Sequence, residues 1–336
     1  MVARKKMKRL PIAGINGLGR FGLNLLKSWI EDPNPAYDLR FINDEKLTAK
    51  KTLGIIRTDP LVDFKKYKAT LDGDILRLLT PEGRAEHITV TQGPAETMPW
   101  LGEPDILLEC SGARQEAERC RPFLTDNTKI VVISATSYDA EGTFLYGHNH
   151  EALRLGKHRI ISYGSCTVNG YIPLAAYLDK RFGIEESVVN VVHNVQLYRL
   201  PAFHTLQRKF CTLEKIGPKF LPFLRKNNFI VNYTVVPYEG VSTMDLAFRF
   251  RKPVSREKLM ETLKKALGAR GALEGLYGMI ENDTGPEAHV RTRFSAVIVE
   301  DAIQIRGKTA HLFSYFYNEG TARYHELVSY IARTMR

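Results

Sequence analysis

One stretch near the start of the chain restricts its possible folds more than any other. Leu10-Pro11-Ile12-Ala13-Gly14-Ile15 is a short apolar, strand-like run, and Asn16-Gly17-Leu18-Gly19-Arg20-Phe21-Gly22 follows it directly. Apolar residues then recur at helical spacing. A G-x-G-x-x-G turn between a strand and a helix lets the backbone approach a pyrophosphate at the helix N-terminus. The stretch therefore predicts the first unit of a Rossmann-type, dinucleotide-binding domain.

A second strand-like run, Leu39-Arg40-Phe41-Ile42-Asn43-Asp44, ends in an acid some twenty residues after the turn. A carboxylate at this position can bind both ribose hydroxyls and repel a 2′-phosphate, which favours NAD over NADP. The alternative is a glycine turn in a nucleotide-free α/β domain, with Asp44 merely capping a loop.

Strands and helices alternate through the first half of the chain. Strand-like runs occur at 104–112, 129–135 and 159–162, and a short helix is predicted at 116–124. This alternation predicts an α/β fold with a doubly wound parallel sheet. Each run ends in Ser, Gly or Ala at its carboxyl end, which is the edge where such sheets bind ligands.

The second half of the chain has a different order of predicted strands and helices. It contains strand-like runs at 187–197, 229–237, 244–250, 294–299 and 311–317, with a helical pattern at 256–267 among them. This pattern predicts an α+β domain with a mostly antiparallel sheet. A final helix at 324–335 has an apolar stripe, and we expect it to pack back on the first domain.

A cysteine lies where the two halves meet, in Ile161-Ser162-Tyr163-Gly164-Ser165-Cys166-Thr167-Val168-Asn169-Gly170. A helix is predicted over 171–182, and if it starts near Thr167, Cys166 sits at its amino end. Free N–H groups and the helix dipole favour a thiolate there. Cys166 is then a candidate nucleophile. Alternatively, it is an inert buried residue, as most free cysteines are.

Composition restricts the class of protein. The length of 336 residues suits two domains of roughly 150 residues each. The four cysteines form no C-x-x-C pair, so we expect the protein to reside in a reducing compartment, the cytoplasm, and to have no metal site. No run approaches the ~18 apolar residues of a membrane span. The net charge of +11 comes from scattered Lys and Arg residues, so we expect a solvated basic surface that attracts anionic ligands rather than nucleic acid.

A histidine, His193, stands among β-branched residues in the strand-like run at 187–197. A lone histidine in such a strand is more often a core residue than a catalyst. It becomes a candidate base only if the fold brings it to Cys166, which sequence spacing cannot show.

A set of motifs occurs in the order found in one enzyme family. The motifs are Gly14-Ile15-Asn16-Gly17-Leu18-Gly19-Arg20-Phe21-Gly22, Ile42-Asn43-Asp44, Glu109-Cys110-Ser111-Gly112, Ile133-Ser134-Ala135, Gly147-His148-Asn149-His150-Glu151, Ser165-Cys166-Thr167-Val168-Asn169, Val192-His193 and Tyr317-Asn318-Glu319. From about residue 10 to its end, the chain resembles the glyceraldehyde-3-phosphate dehydrogenase family. The combination is specific, although each piece alone is not.

The resemblance implies a domain organisation and a set of roles. It implies a NAD-binding Rossmann domain over 1–165, with the C-terminal helix 318–336 packing back on it, and a catalytic domain over 166–317. Cys166 is implied as the nucleophile and His193 as its base. The implied NAD-binding residues are Asn16, Gly17, Leu18, Gly19, Arg20, Phe21, Gly22, Asp44, Ser111, Ser134 and Asn318.

The implied chemistry is oxidation of a small-molecule aldehyde. A Cys166 thiolate attacks the aldehyde, hydride passes to NAD, and a thioester remains for phosphate or water to cleave. The resemblance also implies a homo-oligomer, either a dimer or a tetramer.

The chain departs from the family after His193, where the family's loop is shortened. The threonine and glycine of the family's inorganic-phosphate site align with Cys211 and Thr212, and its substrate-phosphate arginine falls at Thr234 or Val235. Of those anion ligands only Ser165 and Thr167 remain in the sequence. We expect Arg199 or Arg208 to supply a substitute cation. We expect the substrate to be an aldehyde other than glyceraldehyde 3-phosphate, either anionic or uncharged.

Two other functions compete with this one. The chain could be an idle relative that serves as a binding or regulatory protein, or a semialdehyde or acyl-phosphate reductase of similar build. Because an idle protein has no physical need for both Cys166 and His193, their retention favours the enzyme. The reductases fit Asn16-Gly17-Leu18-Gly19-Arg20 and Tyr317-Asn318-Glu319 less well.

Overall fold

The protein is described by a computed structural model that covers residues 9–197, 200 and 205–336. The described residues divide into two compact units. The second unit is Ser165–Arg323, and the first comprises the residues up to Gly164 together with Tyr324–Arg336. No helix in these ranges is both long enough and apolar enough to cross a bilayer.

The first unit contains one sheet and short connecting helices. Its strands are β1 (Ile12–Asn16), β2 (Asp38–Asp44), β3 (Lys68–Asp72), β4 (Ile75–Leu79), β5 (Ala85–Gln92), β6 (Ile106–Glu109), β7 (Ile130–Ile133) and β8 (Ile160–Ser162). Its helices include α1 (Arg20–Glu31), α2 (Ala49–Thr58) and α3 (Ala117–Cys120), with 3-10 turns at Ala95–Thr97, Arg121–Phe123 and His150–Ala152.

The strands of this sheet run in the order β3-β4-β5-β2-β1-β6-β7-β8. All pairs from β5 to β8 are parallel, and only the pairs of the β3-β4-β5 edge are antiparallel. The predicted Rossmann-type parallel sheet is therefore confirmed. The helix predicted at 116–124 is wrong in its length, because Pro122 lacks an N–H and the α-helix gives way to a 3-10 turn at Arg121.

The second unit carries a six-stranded sheet. Its elements are α4 (Cys166–Phe182), β9 (Ile184–Asn194), α5 (Thr212–Phe220), β10 (Phe229–Val236), β11 (Val241–Phe250), α6 (Arg256–Leu267), β12 (Tyr277–Ile280), β13 (Ala296–Arg306) and β14 (Thr309–Tyr317), with a 3-10 turn at Pro286–His289. The strand order is β10-β9-β11-β14-β13-β12. The three central pairs are antiparallel and the two edge pairs are parallel, which confirms the mostly antiparallel sheet.

The last helix, α7 (Ala322–Thr334), carries the chain back into the first unit from Tyr324 onward. Leu327, Val328 and Ile331 are fully buried in the same apolar cluster as Ile15 of β1. The Tyr324 hydroxyl donates a hydrogen bond of 2.6 Å to the carbonyl of Val132 in β7. The helix therefore contributes to the core beneath the parallel sheet.

Candidate active site

The glycine turn of the first unit allows β1 and α1 to approach their neighbours closely. Gly17 has a φ of 94°, and a Cβ on it would lie 2.4 Å from the backbone of Ser111. A Cβ on Gly22 would lie 2.1 Å from the Gly17 carbonyl oxygen. Around Gly19, by contrast, a Cβ would meet open space. The turn therefore packs tightly against the sheet and stays open where a ligand phosphate would lie.

Asp44, at the end of β2, is fixed against this turn by backbone N–H groups. Its Oδ2 accepts a hydrogen bond of 2.8 Å from the Leu18 N–H. Its Oδ1 accepts from Lys46 and Leu47, at 2.9 and 3.1 Å. Because an ionised carboxylate offers about four acceptor positions, Asp44 keeps capacity for a ribose hydroxyl.

Glu109 links the carboxyl ends of three neighbouring strands. It is buried, it accepts a hydrogen bond of 2.7 Å from Asn16 Nδ2, and it also accepts from both the N–H and the hydroxyl of Ser111. The Ser134 N–H donates to the Glu109 carbonyl at 3.0 Å. Burial raises the pKa of Glu109, and its hydrogen bonds oppose that shift. The predicted residues Asn16, Ser111 and Ser134 thus meet at one sheet edge.

Two other residues of the turn are engaged within the first unit. Arg20 forms an ion pair with Asp59, just after α2. The ring of Phe21 packs edge-on against that of Tyr324, with centroids 5.3 Å apart. Phe21 therefore helps to anchor α7, and any cofactor contact of these two residues stays a prediction.

The second unit brings Cys166 and His193 together. Helix α4 begins at Cys166, and the hydroxyl of Ser165 caps it by accepting a hydrogen bond from the Val168 N–H at 3.3 Å. His193 is the second-last residue of β9. The two residues meet with Cys166 Sγ 3.5 Å from His193 Nε2, which is hydrogen-bond distance for sulfur. The structure therefore forms a possible nucleophile and base pair.

The other nitrogen of His193 determines its tautomer. His193 Nδ1 lies 2.6 Å from the carbonyl oxygen of Asn194. Because a carbonyl only accepts, Nδ1 carries the proton of a neutral imidazole and donates it there. Nε2 then faces the Cys166 sulfur with a free lone pair, which is the form that a general base requires.

The environment of the pair keeps both groups neutral near pH 7. Burial raises the pKa of the Cys166 thiol to about 12, and the nearby Cys211 adds to the shift. Burial lowers the pKa of His193 to about 4. Hydrogen bonds from the backbone N–H groups of Thr167 and Cys166 lower the pKa of the thiol, but by less than burial raises it. Burial therefore opposes the thiolate that the helix N-terminus favours.

A hydrogen-bond network holds the peptide behind His193. The Asn194 N–H donates to Ser242 Oγ at 2.8 Å, and the Ser242 hydroxyl donates to Asn318 Oδ1 at 2.6 Å. Asn318 Nδ2 contacts Asn194 Oδ1 and lies 3.2 Å from His193 Nδ1. Asn318, predicted for the cofactor, thus also supports the base. Ser242 was missed because a lone serine in a strand carries no signal in sequence.

Hydroxyl groups cluster beside Cys166, where α4 and α5 both begin. Ser165 Oγ lies 3.1 Å from Thr167 Oγ1 and 3.0 Å from Thr212 Oγ1. Thr167 Oγ1 lies 3.6 Å from the sulfur of Cys211. The sequence retained only Ser165 and Thr167 as anion ligands, and the structure adds Thr212 as a third hydroxyl. The sequence comparison with the family did not identify Thr212 as a ligand, because Thr212 aligns with a glycine of the family's inorganic-phosphate site.

The strand register decides which residue of β10 lies beside His193. Val235 pairs with His193 in the β10–β9 register, whereas Thr234 pairs with Val192. Side chains alternate along a strand, so Val235 shares the His193 face and Thr234 points to the other. Val235 is only 2% exposed, and the ring of Tyr233 lies 5.3 Å from that of His193. This wall of the pair is therefore apolar and aromatic.

The proposed substitute cations do not both fall in the described part of the chain. Arg208 forms an ion pair of 3.3 Å with Glu214 and donates to the Val231 carbonyl at 3.2 Å. Glu214 in turn accepts from the Cys211 N–H at 3.0 Å and so caps α5. Arg208 is thereby engaged at the start of α5, and its role toward substrate stays a prediction. Arg199 lies outside the described residues.

Comparisons with known proteins agree with this geometry. No protein-family model matches the chain. It is 27% identical over 341 residues to glyceraldehyde-3-phosphate dehydrogenase 3.1 of Caenorhabditis briggsae, covering 96% of this chain and 98% of that protein. It is 26% identical over 325 residues to glyceraldehyde-3-phosphate dehydrogenase 1 of Bacillus cereus, covering 91% and 93%. The chain is therefore similar over nearly its full length, at low identity, to glyceraldehyde-3-phosphate dehydrogenases, and the two-sheet fold described above is consistent with that similarity.

Proposed function

We propose that this protein is a NAD-dependent dehydrogenase that oxidises an aldehyde through a thioester on Cys166. The observation that carries the proposal is the contact of 3.5 Å between Cys166 Sγ and His193 Nε2. His193 Nδ1 donates to the Asn194 carbonyl, so the free lone pair faces the thiol. A nucleophile paired with an oriented base is the arrangement that covalent catalysis needs.

The first unit fits NAD. The turn from Gly17 to Gly22 is open at Gly19, and Asp44 offers a fixed carboxylate for the ribose. Ser111 and Ser134 lie at the same sheet edge. When bound, NAD supplies the two-electron acceptor of the reaction.

In the proposed mechanism, the resting pair carries no charge. Neutral His193 accepts the thiol proton while Cys166 Sγ attacks the aldehyde carbon, and it then donates that proton to the hemithioacetal oxygen. The same nitrogen takes the hydroxyl proton back as the carbon is oxidised to the thioester. The Cys166 N–H, at the start of α4, is available to stabilise negative charge on the oxygen. Water or phosphate then releases the acyl group.

The surroundings of the pair favour an aldehyde without a phosphate on the Val235 side. Val235 is buried and apolar beside His193, and Tyr233 adds an aromatic ring. Among the described residues, none supplies a cation to a phosphate buried against this wall. The hydroxyls of Ser165, Thr167 and Thr212 instead offer neutral hydrogen bonds close to the sulfur, which suits a small oxygen nucleophile or a weakly charged group.

Cys166→Ser should abolish aldehyde oxidation while NAD still binds, because an unassisted hydroxyl is a far weaker nucleophile than a thiolate. Turnover is measured with a panel of aldehydes, and NAD binding by fluorescence titration. Cys120→Ser, at a fully buried cysteine of the first unit, is the matched control and should keep its activity. Substantial turnover by Cys166→Ser would exclude Cys166 from the mechanism.

Ser242→Ala should lower kcat roughly tenfold with little change in KM, since it leaves the buried Asn194 N–H without a partner and loosens the peptide that orients His193. The pH profile of kcat/KM gives a second readout. His193 works as neutral imidazole, so activity is lost as pH falls through its pKa, which burial holds below the usual value of about 6.5. In Ser242→Ala this acid limb should move to lower pH, because the hydrogen bond to the Asn194 carbonyl, which raises the pKa of His193, is weakened.

Ser242→Thr retains the hydroxyl and should restore both kcat and the position of the acid limb. An unchanged pH profile in Ser242→Ala, together with a lower melting temperature, would show that Ser242 is only a packing residue.

The protein should bind NAD at least about tenfold more tightly than NADP, because the Asp44 carboxylate is held where a 2′-phosphate would lie. Asp44→Asn removes the charge and should narrow that ratio. Asp38→Asn, at the other end of β2, should leave it unchanged. Equal dissociation constants for the two cofactors in the unaltered protein would contradict the assignment of Asp44.

Glyceraldehyde 3-phosphate should be a poor substrate. Charge-assisted hydrogen bonds contribute roughly 1.5 to 3 kcal/mol each, and an arginine donates two of them to a phosphate. Placing Val235 where a phosphate-binding arginine would stand is therefore expected to cost about a thousandfold in kcat/KM. The matched comparison is glyceraldehyde with and without its phosphate. We expect the phosphate to give no advantage, and a strong preference for the phosphorylated aldehyde would show that another cation binds it.

A further inference from the structure

A second concave site lies in the second unit, at the end of α4 opposite to Cys166. A cavity of about 540 Å³ opens between the end of α4, the loop from β11 to α6, and the first turn of α6. Its volume is within the range of small-molecule sites. Its charged lining consists of Asp179, Lys180, Arg181, Arg251, Lys252 and Lys258.

Three of these cations form no ion pair among the described residues, although Asp179, which accepts a hydrogen bond from the Ile184 N–H, also lines the cavity. Among the described residues, Lys180, Arg251 and Lys252 form neither an ion pair nor a side-chain hydrogen bond. Lys258 pairs with Glu261 at 2.9 Å, and Arg181 lies over the Tyr177 ring at 5.2 Å. Unpaired like charges around one cavity repel each other, and a bound anion would relieve that repulsion.

The arrangement of the backbone fixes one of the cations in place. The Arg251 N–H donates a hydrogen bond of 3.0 Å to the Gly183 carbonyl. Gly183 has a φ of 67°, and a Cβ on it would lie 2.7 Å from Arg251 Cδ. The arginine stem therefore lies directly over the glycine. A planar guanidinium held in this way is suited to bidentate binding of a phosphate.

Ordinary helix stabilisation explains only part of the cluster. Lys180 and Arg181 lie in the last turn of α4, where cations stabilise the helix dipole. Arg251 and Lys252 lie outside any helix and gain nothing from this effect. At the start of α6, Ser255 caps the helix, and hydrogen bonds with Ser255 and its own backbone lower the pKa of Glu257. The N-terminus of α6 is thus already capped within the protein. An anion in the cavity would therefore be bound by the side-chain cations.

The surroundings limit the shape of the anion. Glu185 and Glu186 follow Gly183 in the chain, and Glu257 and Glu261 lie on α6. Glu257 is adjacent in sequence to the lining residue Lys258, and Glu261 pairs with it. These two acids would repel a long polyanion such as nucleic acid, which needs an extended basic track. We propose that this cavity binds a compact ligand with two or more adjacent phosphate groups, through Lys180, Arg251 and Lys252.

Isothermal calorimetry with the full-length protein tests this proposal. The probes are inorganic phosphate, pyrophosphate and tripolyphosphate, each titrated with and without saturating NAD so that binding at the glycine turn is separated. We expect affinity to rise in that order and to persist with NAD present. Equal affinity for phosphate and tripolyphosphate, or complete competition by NAD, would overturn the proposal.

Substitutions then locate the site. Lys252→Gln and Arg251→Gln should each weaken tripolyphosphate binding roughly three- to tenfold. Lys252→Gln is the safer variant, because Arg251 also packs on Gly183. Lys265→Gln, at an exposed lysine further along α6, is the matched control and should bind as the unaltered protein does. Unchanged binding in both cavity variants would overturn the assignment.

A further arm identifies the source of the phosphates. Phosphatidylcholine vesicles with and without phosphatidylinositol 4,5-bisphosphate are tested by co-sedimentation. Binding of soluble tripolyphosphate without vesicle binding supports a free polyphosphate or nucleotide as the ligand. Vesicle binding that Lys252→Gln abolishes supports a lipid headgroup in the same cavity. Aldehyde oxidation is assayed separately, so loss of that activity would not affect this conclusion.

Discussion

The hydrogen bond from His193 Nδ1 to the Asn194 carbonyl is the interaction on which the proposed chemistry depends. A buried neutral imidazole has one proton, and its position decides whether the ring can act as a base toward Cys166. The acceptor is a backbone carbonyl, so its position depends on everything that holds that peptide. That peptide is held by the Val195 N–H, which donates to the Val236 carbonyl, while Ser242 from β11 and Asn318 after β14 hold Asn194 through its N–H and its side-chain oxygen. Three separate segments of the second unit therefore determine one tautomer.

Desolvation of Cys166 and His193 also affects the reactivity of the thiol. Burial raises the pKa of Cys166 and lowers that of His193, so the sulfur rests as a thiol. Oxidation of cysteine follows its thiolate character, so a thiol with a raised pKa is correspondingly less reactive. The sulfur becomes nucleophilic only while His193 removes its proton, with the aldehyde in place. The local field at the helix start is too weak to ionise it beforehand, which limits damage between turnovers.

Local patterns made the Rossmann-type half predictable from sequence. The glycine turn and Asp44 depend on a few neighbouring residues, and the structure places both at the same sheet edge. The β3-β4-β5 edge was missed, because its strands are short and only half-buried. The helix start at Cys166 was predictable for the same local reasons, whereas the state of its thiol depends on burial by distant segments.

Positions set by long-range register could not be read from the chain. The approach of Cys166 to His193 was expected only through family resemblance, because no local pattern joins α4 to β9. The choice between Thr234 and Val235 required the β10–β9 pairing, in which one residue of slip would exchange the two faces. Thr212 joined the hydroxyl cluster because α5 begins beside α4, and the α5 helix itself had no predicted counterpart.

The two sites of the second unit lie at opposite ends of one helix, and this separation decides how they can communicate. Helix α4 has 17 residues and is therefore about 25 Å long. Screening by salt acts over about 8 Å, so charge bound near Lys180 has little direct effect on ionisation of Cys166. Any influence of one site on the other must pass through displacement of the helix itself. A displacement of that kind would change the distance from Cys166 Sγ to His193 Nε2 before it changed either pKa.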